Sequence, residues 1–397
     1  MTQTQEKLTS RIDGMREEIS RMCDEIFTHP EIGRQEFFAQ KLLCDFLISH
    51  GFAVEQGVGG IPTSFRTVWE QGSGGPSVGL LCEYDALKGF GHGCGHHMQG
   101  PAILAAAVAV KELWGDAPLK LVVYGTPDEE LGEGKVTMIQ NGCFEDIDFA
   151  LMTHVAPDTT VDIKSLAMNT TRVRFHGKAA HAAIKPEDGR SAVDALMLAI
   201  HGFELLREHV RSDVRLHYVI DKAGETANVV PDFAEARFVV RSYSGEYVDR
   251  VWKRMEKIMQ GAALMTETTA EVEILSGCQD KIPVMCLNET MMGYAKELNA
   301  PQIIPYREQT GSTDFGNVLH RIPGAQIRVA FVPRGTSSHS QAYLDAGMSQ
   351  ALYDAAVLAA KILALTTWDL GADAALRENI QRQFTENLAK ARQEAAL

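Results

Sequence analysis

Ser77–Gly100 reads S-V-G-L-L-C-E-Y-D-A-L-K-G-F-G-H-G-C-G-H-H-M-Q-G. Its first six residues form a short apolar run of the kind that makes a buried strand. A glycine-rich stretch follows, and then the Ala-rich helical segment Pro101–Leu113. A strand that passes through a loop into a helix delivers the loop's side chains to the carboxyl edge of a sheet, where α/β active sites form. Leu119–Tyr124 (LKLVVY) and Phe149–His154 (FALMTH) are further strand-like runs, with helical spacing over Lys135–Asn141 between them. Upstream, Ser10–Ile26 and Gln35–His50 also carry apolar residues at helical spacing. The alternation predicts an α/β catalytic domain with helices packed on both faces of a sheet.

The rhythm changes after Ala167. Thr171–His176 alternates as a half-exposed strand, Arg190–His209 is a long amphipathic helix, and Arg215–Asp221 and Ala234–Arg241 are strands. Glu246–Met259 is a second helix and Thr268–Leu275 a fourth strand. The order β-α-β-β-α-β is about the smallest that closes a two-layer sandwich, and it predicts an inserted ferredoxin-like domain. The first rhythm then resumes with helix Glu289–Leu298, strand Gln326–Val332 and helix Met348–Leu365, followed by an amphipathic tail from Ala372. The expected organisation is 1–167 and 281–397 as two parts of a catalytic domain, with 168–280 inserted.

Composition narrows the function. The chain has 397 residues with 38 basic and 52 acidic side chains, a net charge of −14 that disfavours nucleic acid and anionic membrane surfaces as partners. A chain of this length buries a large core without a metal to staple it, so a metal site here serves chemistry. Met1–Glu18 is polar and lacks the apolar segment of a signal peptide. The apolar stretches Ile103–Val110 and Ala351–Leu365 are too short or too interrupted to span a bilayer. Seven scattered cysteines read as reduced thiols, and the expectation is a cytoplasmic protein.

Four strand ends carry reactive side chains. Cys94 and His96 stand two residues apart, flanked by His92 and His97. Gly125–Glu133 (G-T-P-D-E-E-L-G-E) follows the next strand, His154 closes F-A-L-M-T-H, and His339 lies in S-S-H-S beyond the last strand. Three consecutive acids repel one another unless a cation or solvent offsets them. Taken singly, each residue has a plainer reading. A lone His is usually a surface or satisfied core residue, a Glu pair can open a helix, and Cys94 could be a small hydrophobe or a nucleophile beside His96. Delivered together to one sheet edge, they point to a metal site, and N, S and O donors suit zinc best, with manganese, cobalt or nickel as alternatives.

At this point the motifs resemble a known family. E-Y-D-A-L followed by G-H-G-C-G-H is similar to the D-M-D-A-L and H-A-C-G-H-D segments of the zinc aminoacylase and carboxypeptidase G-like metallopeptidases, in their amidohydrolase branch. G-T-P-D-E-E, Gly177–Ala183 (G-K-A-A-H-A-A), Asn228–Asp232 (N-V-V-P-D) and Gly311–Val318 (G-S-T-D-F-G-N-V) also have counterparts, over roughly residues 10 to 365. The resemblance implies a two-metal site held by Cys94, His96, Glu130, His154 and His339, with Glu129 as general base and Asp85 orienting a ligand His. It further implies that His181 of the insert reaches an active site across a dimer interface to stabilise an oxyanion. Asn228 and Arg241 become candidates for gripping a substrate carboxylate, and the expected fold is a metallopeptidase-type α/β catalytic domain with a mixed central sheet, the insert serving as a lid and the dimerisation surface of a homodimer.

The sequence departs from the family at His97, where Asp or Asn is usual, at Lys88 in place of Pro, and at Asp128 in place of Ala. Every expected metal ligand is present. The expected activity is metal-dependent hydrolysis of the amide bond in N-acyl amino acids or small dipeptide-like compounds, with a dipeptidase or carboxypeptidase of the same family as the alternative. A non-catalytic binding homologue and a Cys94 thiol hydrolase are the competitors from other classes.

Overall fold

Continuous apolar runs build the middle of a large sheet, because a strand covered on both faces has no side for polar residues. The computed structural model describes residues 1–307 and 310–394. They fall into two units, the first holding Met1–Lys164, Lys281–Thr310 and Asp314–Ala391, the second holding Ser165–Asp280 and Gly311–Thr313. The first unit contains strands β1 (Val54–Gln56), β2 (Phe65–Gln71), β3 (Ser77–Cys82), β4 (Leu119–Gly125), β5 (Phe149–Ala156) and β6 (Thr159–Val161). The second contains β7 (Ala167–His176), β8 (Arg215–Ala223), β9 (Phe233–Ser242) and β10 (Thr269–Cys278), and the first resumes with β11 (Ile303–Tyr306) and β12 (Gly324–Ala330).

The sheet of the first unit runs β1-β2-β4-β3-β5-β12-β6-β11. β4, β3, β5 and β12 are mutually parallel, whereas β1–β2, β2–β4 and β12–β6 pair antiparallel, so the sheet is mixed. Every residue of β3 and β5 is buried. Helix Gln99–Leu113 is buried from Gln99 through Val110, and its alanines let it lie close against the strands. Helix Gln350–Ala372 packs with it. Among the described residues this is the one helix long and apolar enough to cross a membrane, and its burial makes it a core helix of the unit. The tail beyond it is also part of the first unit. Ala374–Glu394 is helical, buries Ile380 and Phe384, and is tied down where Asn387 Nδ2 donates to the Pro283 carbonyl at 2.8 Å.

The second unit has the order β7, helix Ala192–Leu206, β8, β9, helix Gly245–Met265, β10, with antiparallel neighbours β10-β7-β9-β8. Alternate residues of β7, Ala167, Asn169, Thr171, Val173 and Phe175, point into a core that Phe203, Phe238, Met255 and Met259 share. β8 lies at the edge of this sheet and exposes Tyr218, Val219 and Ile220.

Local details differ from the sequence expectation. The helix expected over Ser10–Ile26 is two helices, Gln3–Asp13 and Arg16–Thr28, which meet at Gly14 and Met15. The first starts earlier because Thr2 and Gln5 cap it reciprocally. Strands β1, β2, β6 and β11 add to the runs that sequence periodicity marked.

Candidate metal centre

The four parallel strands end at one edge, and that edge gathers the reactive side chains. Leaving β3, the chain buries Glu83, Tyr84 and Asp85 and turns back at Gly95, whose φ of 94° is a left-handed conformation. A Cβ there would stand 2.2 Å from Val155 Cγ2, so both the backbone and the packing call for glycine. This turn presents Cys94 and His96 from opposite sides of one residue. The loop after β4 carries Glu129 and Glu130, β5 itself carries His154, and His339 lies beyond β12 with its N–H donating to the Gly93 carbonyl at 3.0 Å.

Hydrogen bonds fix which atoms face the centre. His96 Nδ1 lies 3.0 Å from Asp85 Oδ1 and 3.1 Å from the Asp85 carbonyl, and His154 Nδ1 lies 2.6 Å from the Val155 carbonyl. These partners only accept, so both imidazoles carry a proton on Nδ1 and turn Nε2 inward. His154 Nε2 is 3.5 Å from Cys94 Sγ. Asp85 Oδ2 accepts from the Glu130 N–H at 2.8 Å, so one carboxylate braces residues of two loops. His339 Nε2 is 3.6 Å from Glu130 Oε1, and His96 Nε2 is 4.0 Å from Glu129 Oε2. Donor atoms of Cys94, His96 and His154 lie within 4.8 Å of one another, as do those of Cys94, Glu130 and His339 and those of His96, Glu129 and Glu130.

Charge and solvation show what this arrangement lacks. His96 Nε2 and Glu130 Oε1 are buried with no hydrogen-bond partner, a state that costs about 1–3 kcal/mol per group unless something binds there. Burial, and then the neighbouring Glu83 carboxylate, hold the Glu129 carboxyl well above its ordinary range. Burial also pushes the Cys94 thiol up to about 12, and burial with the nearby Arg328 charge keeps His154 neutral. A cation among these donors would take up both orphaned atoms and favour the charged forms of Glu129 and Cys94, and the mixed S, N and O set is one that transition metals accept.

A fourth acidic group, Glu83, Glu129 and Asp314, already has a cation. The buried Lys135 ammonium lies 2.6 Å from Glu83 Oε1 and 2.6 Å from Asp314 Oδ1, and its backbone N–H donates to Asp314 Oδ2 at 2.9 Å. Glu83 Oε2 also accepts from Gln99 Nε2 at 2.8 Å. Sequence reasoning missed this network. Asp314 stands within the motif G-S-T-D-F-G-N-V, but nothing local joins it to a lysine 179 positions away.

His97 lies outside the donor set. Its Nε2 is 2.9 Å from the Gly347 carbonyl and its ring packs on Phe27, with His92 alongside. Asp128 is drawn to Arg34, whose Nε is 2.7 Å from Oδ2, and Lys88 is exposed. In the second unit, the His181 and Asn228 segments touch, with the Ala182 N–H donating to the Asn228 carbonyl at 3.0 Å. Arg241 stands at the other end of β9, its Nη1 3.1 Å from Ser312 Oγ. One chain therefore brings His181 and Asn228 together but holds Arg241 apart from both.

The chain belongs to the peptidase family M20/M25/M40, whose model matches residues 77–364, and it is a hydrolase of that family. It is 32% identical to a p-aminobenzoyl-glutamate hydrolase polypeptide of Escherichia coli (strain K12), over 94% of this chain and 93% of that protein. It is 31% identical to the Xaa-Arg dipeptidase of Mus musculus, over 95% of this chain and 91% of that protein. Among solved structures, a dinuclear metal-binding M20 peptidase of Bacillus subtilis superposes with a TM-score of 0.65 at 18% identity. The match covers 87% of this chain and 98% of the other, and it shows a shared fold.

Proposed function

We propose that this chain hydrolyses the amide bond of N-acyl amino acids or small dipeptide-like compounds at a two-metal centre. The observation that carries the reading is the pair of buried, unpartnered atoms, His96 Nε2 and Glu130 Oε1, set among overlapping donor groups beside Glu129. Cys94, His96, Glu130, His154 and His339 would hold the ions, zinc in the first instance with manganese, cobalt or nickel as alternatives. Bound there, divalent ions acidify a water and polarise the scissile carbonyl. Glu129 takes the proton of the attacking water onto a carboxylate oxygen and hands it to the departing nitrogen. Asp85 holds His96 in the tautomer that aims Nε2 inward. The names of the relatives support both the acyl-amino-acid substrate and the dipeptidase alternative.

Elemental analysis tests this directly. About two divalent ions per chain are expected, lost on chelation and absent from a Cys94→Ser/His339→Ala double variant, with amide hydrolysis lost alongside. Failure to take up zinc, manganese or cobalt on reconstitution would sink the mechanism. Activity that survives chelation but not thiol alkylation would instead favour Cys94 as nucleophile.

The second unit reads as a ferredoxin-like lid and dimerisation domain, and its geometry supports a homodimer. Phe233 and Arg241 are eight residues apart on β9, roughly 26 Å at the usual strand rise. His181 and Asn228 lie at one end and Arg241 at the other, a separation that supports their meeting one substrate through two copies. His181 then stabilises the oxyanion, while Asn228 and Arg241 grip the substrate carboxylate. The apolar edge of β8 supplies a surface for pairing with a second copy. Light scattering should give twice the chain mass for the native protein. A Val219→Asp/Ile220→Lys variant should run as a monomer that keeps its metal and loses activity; a native monomer with full activity would remove the dimer. The seven free thiols support a cytoplasmic setting, which cell fractionation checks.

A further inference from the structure

Beside the donor set, three cations converge on a single carboxylate. Asp162, just past β6, accepts from Arg328 Nε at 2.7 Å on Oδ2 and from Arg307 Nε at 2.8 Å on Oδ1, and Lys281 Nζ lies 3.2 Å from Oδ2. Among the described residues one carboxylate meets these three cations, so about two positive charges are left over. Like charges held around one carboxylate repel one another, so a merely structural pairing for Asp162 is better served by one arginine. The crowding is visible at Lys281. Burial, only partly offset by Asp162, and then the two guanidiniums bring its ammonium down to about 8.

The surplus charge is not sealed away. Lys281 is buried, but 26% of the Arg307 side chain and 14% of the Arg328 side chain are accessible. Arg328 is paired in register with His154 across the parallel β12–β5 ladder, so both side chains rise from the same face of the sheet. All of these residues belong to the first unit.

We propose that Arg307 and Arg328 form a carboxylate subsite beside the metal donors, selecting substrates that carry a second carboxylate besides the one every N-acyl amino acid has. This rests on the amidohydrolase reading above. Two guanidiniums, each braced through Nε by Asp162, offer their remaining N–H groups as planar forks, and a carboxylate is the anion that matches such a fork. The same pair repels a cationic side chain, so the subsite sets this chain against substrates ending in a basic residue.

Two kinds of measurement test it. In the first, glutarate and its monoamide glutaramate are titrated into chelator-stripped protein by calorimetry. Glutarate should bind at least about tenfold tighter than glutaramate, and tighter than inorganic phosphate. That advantage should vanish in Arg307→Gln and Arg328→Gln, while Arg328→Lys, which keeps the charge on Asp162 and guards against misfolding, retains part of it. In the second, kcat/KM of the metal-loaded enzyme is compared within matched pairs. N-benzoyl-glutamate against N-benzoyl-glutamine places the extra acid on the amine half, and N-succinyl-alanine against N-succinamoyl-alanine places it on the acyl half. One pair should show an acid-to-amide ratio of about ten or more that falls toward one in Arg307→Gln. Equal binding of glutarate and glutaramate, equal affinity for phosphate, or ratios near one in both pairs would overturn the subsite. If no amide is cleaved yet glutarate binding still depends on the arginines, the subsite stands and the hydrolase reading falls. If all four amides are cleaved alike and glutarate does not bind, the reverse holds.

Discussion

Exchanging Glu129 for Gln should lower kcat by about 10²–10⁴-fold while the ions stay bound, because the amide keeps the shape of the side chain but accepts no proton. Three features set Glu129 apart from its neighbour. The Glu130 N–H is braced by Asp85 Oδ2 and its own Oε1 faces His339, whereas Glu129 Oε2 stands 4.0 Å from His96 Nε2. The Glu83 carboxylate beside Glu129 favours proton uptake there, as a base that collects a proton from water needs. Steady-state kinetics on an N-acyl amino acid, run beside elemental analysis of the same preparation, separates the outcomes. Retained metal with kcat reduced a hundredfold or more and KM little changed assigns the proton transfer to Glu129. Near-native turnover would move the base elsewhere, and loss of metal would make Glu129 a ligand instead.

The second large effect is on stability. Lys135→Met should cost about 3–5 kcal/mol, because it leaves Glu83 and Asp314 buried without their shared cation. All three side chains are at most 3% exposed, so water has little access to make good the loss. The network also ties the end of β3, through Glu83 and Gln99, to the loop that carries Glu129, so the variant should bind metal more weakly as well. Urea unfolding of the stripped protein reads the first effect, and metal titration the second. A loss below about 1 kcal/mol would mean that the acids take up protons on unfavourable but tolerable terms and that the lysine is dispensable.

How far the sequence anticipates the molecule depends on the range of the interaction. β3, β4, β5 and β12 were legible because strands buried on both faces are written as unbroken apolar runs, and the motifs at their ends follow from the same placement. β2 was harder to see. It alternates buried and half-buried residues, and Arg66, Thr67 and Glu70 dilute its apolar signal. β6 and β11 are only three and four residues long, too short for any period to register. The donor cluster could be read from residue types alone. Its supports, Lys135 with Asp314 and Asp162 with Arg307 and Arg328, are pairings over 145 to 179 positions that no local pattern encodes. Asn228 and Arg241, which the resemblance pairs, are likewise a matter of long-range placement, since Asn228 precedes β9 and Arg241 stands near the far end of that strand.

The turn at Gly95 sets a boundary on how this enzyme can diversify. Two separate obstacles protect the position: a backbone angle of 94° and a methyl of Val155 standing 2.2 Å from where any side chain would begin. Trimming Val155 removes the second and leaves the first, so no single compensating exchange opens the site. Changes of specificity are thereby confined to the surrounding rim, where Lys88 is exposed, while the segment that sets Cys94 against His96 admits no side chain at its centre. New substrates can be learned around an unaltered turn of three residues.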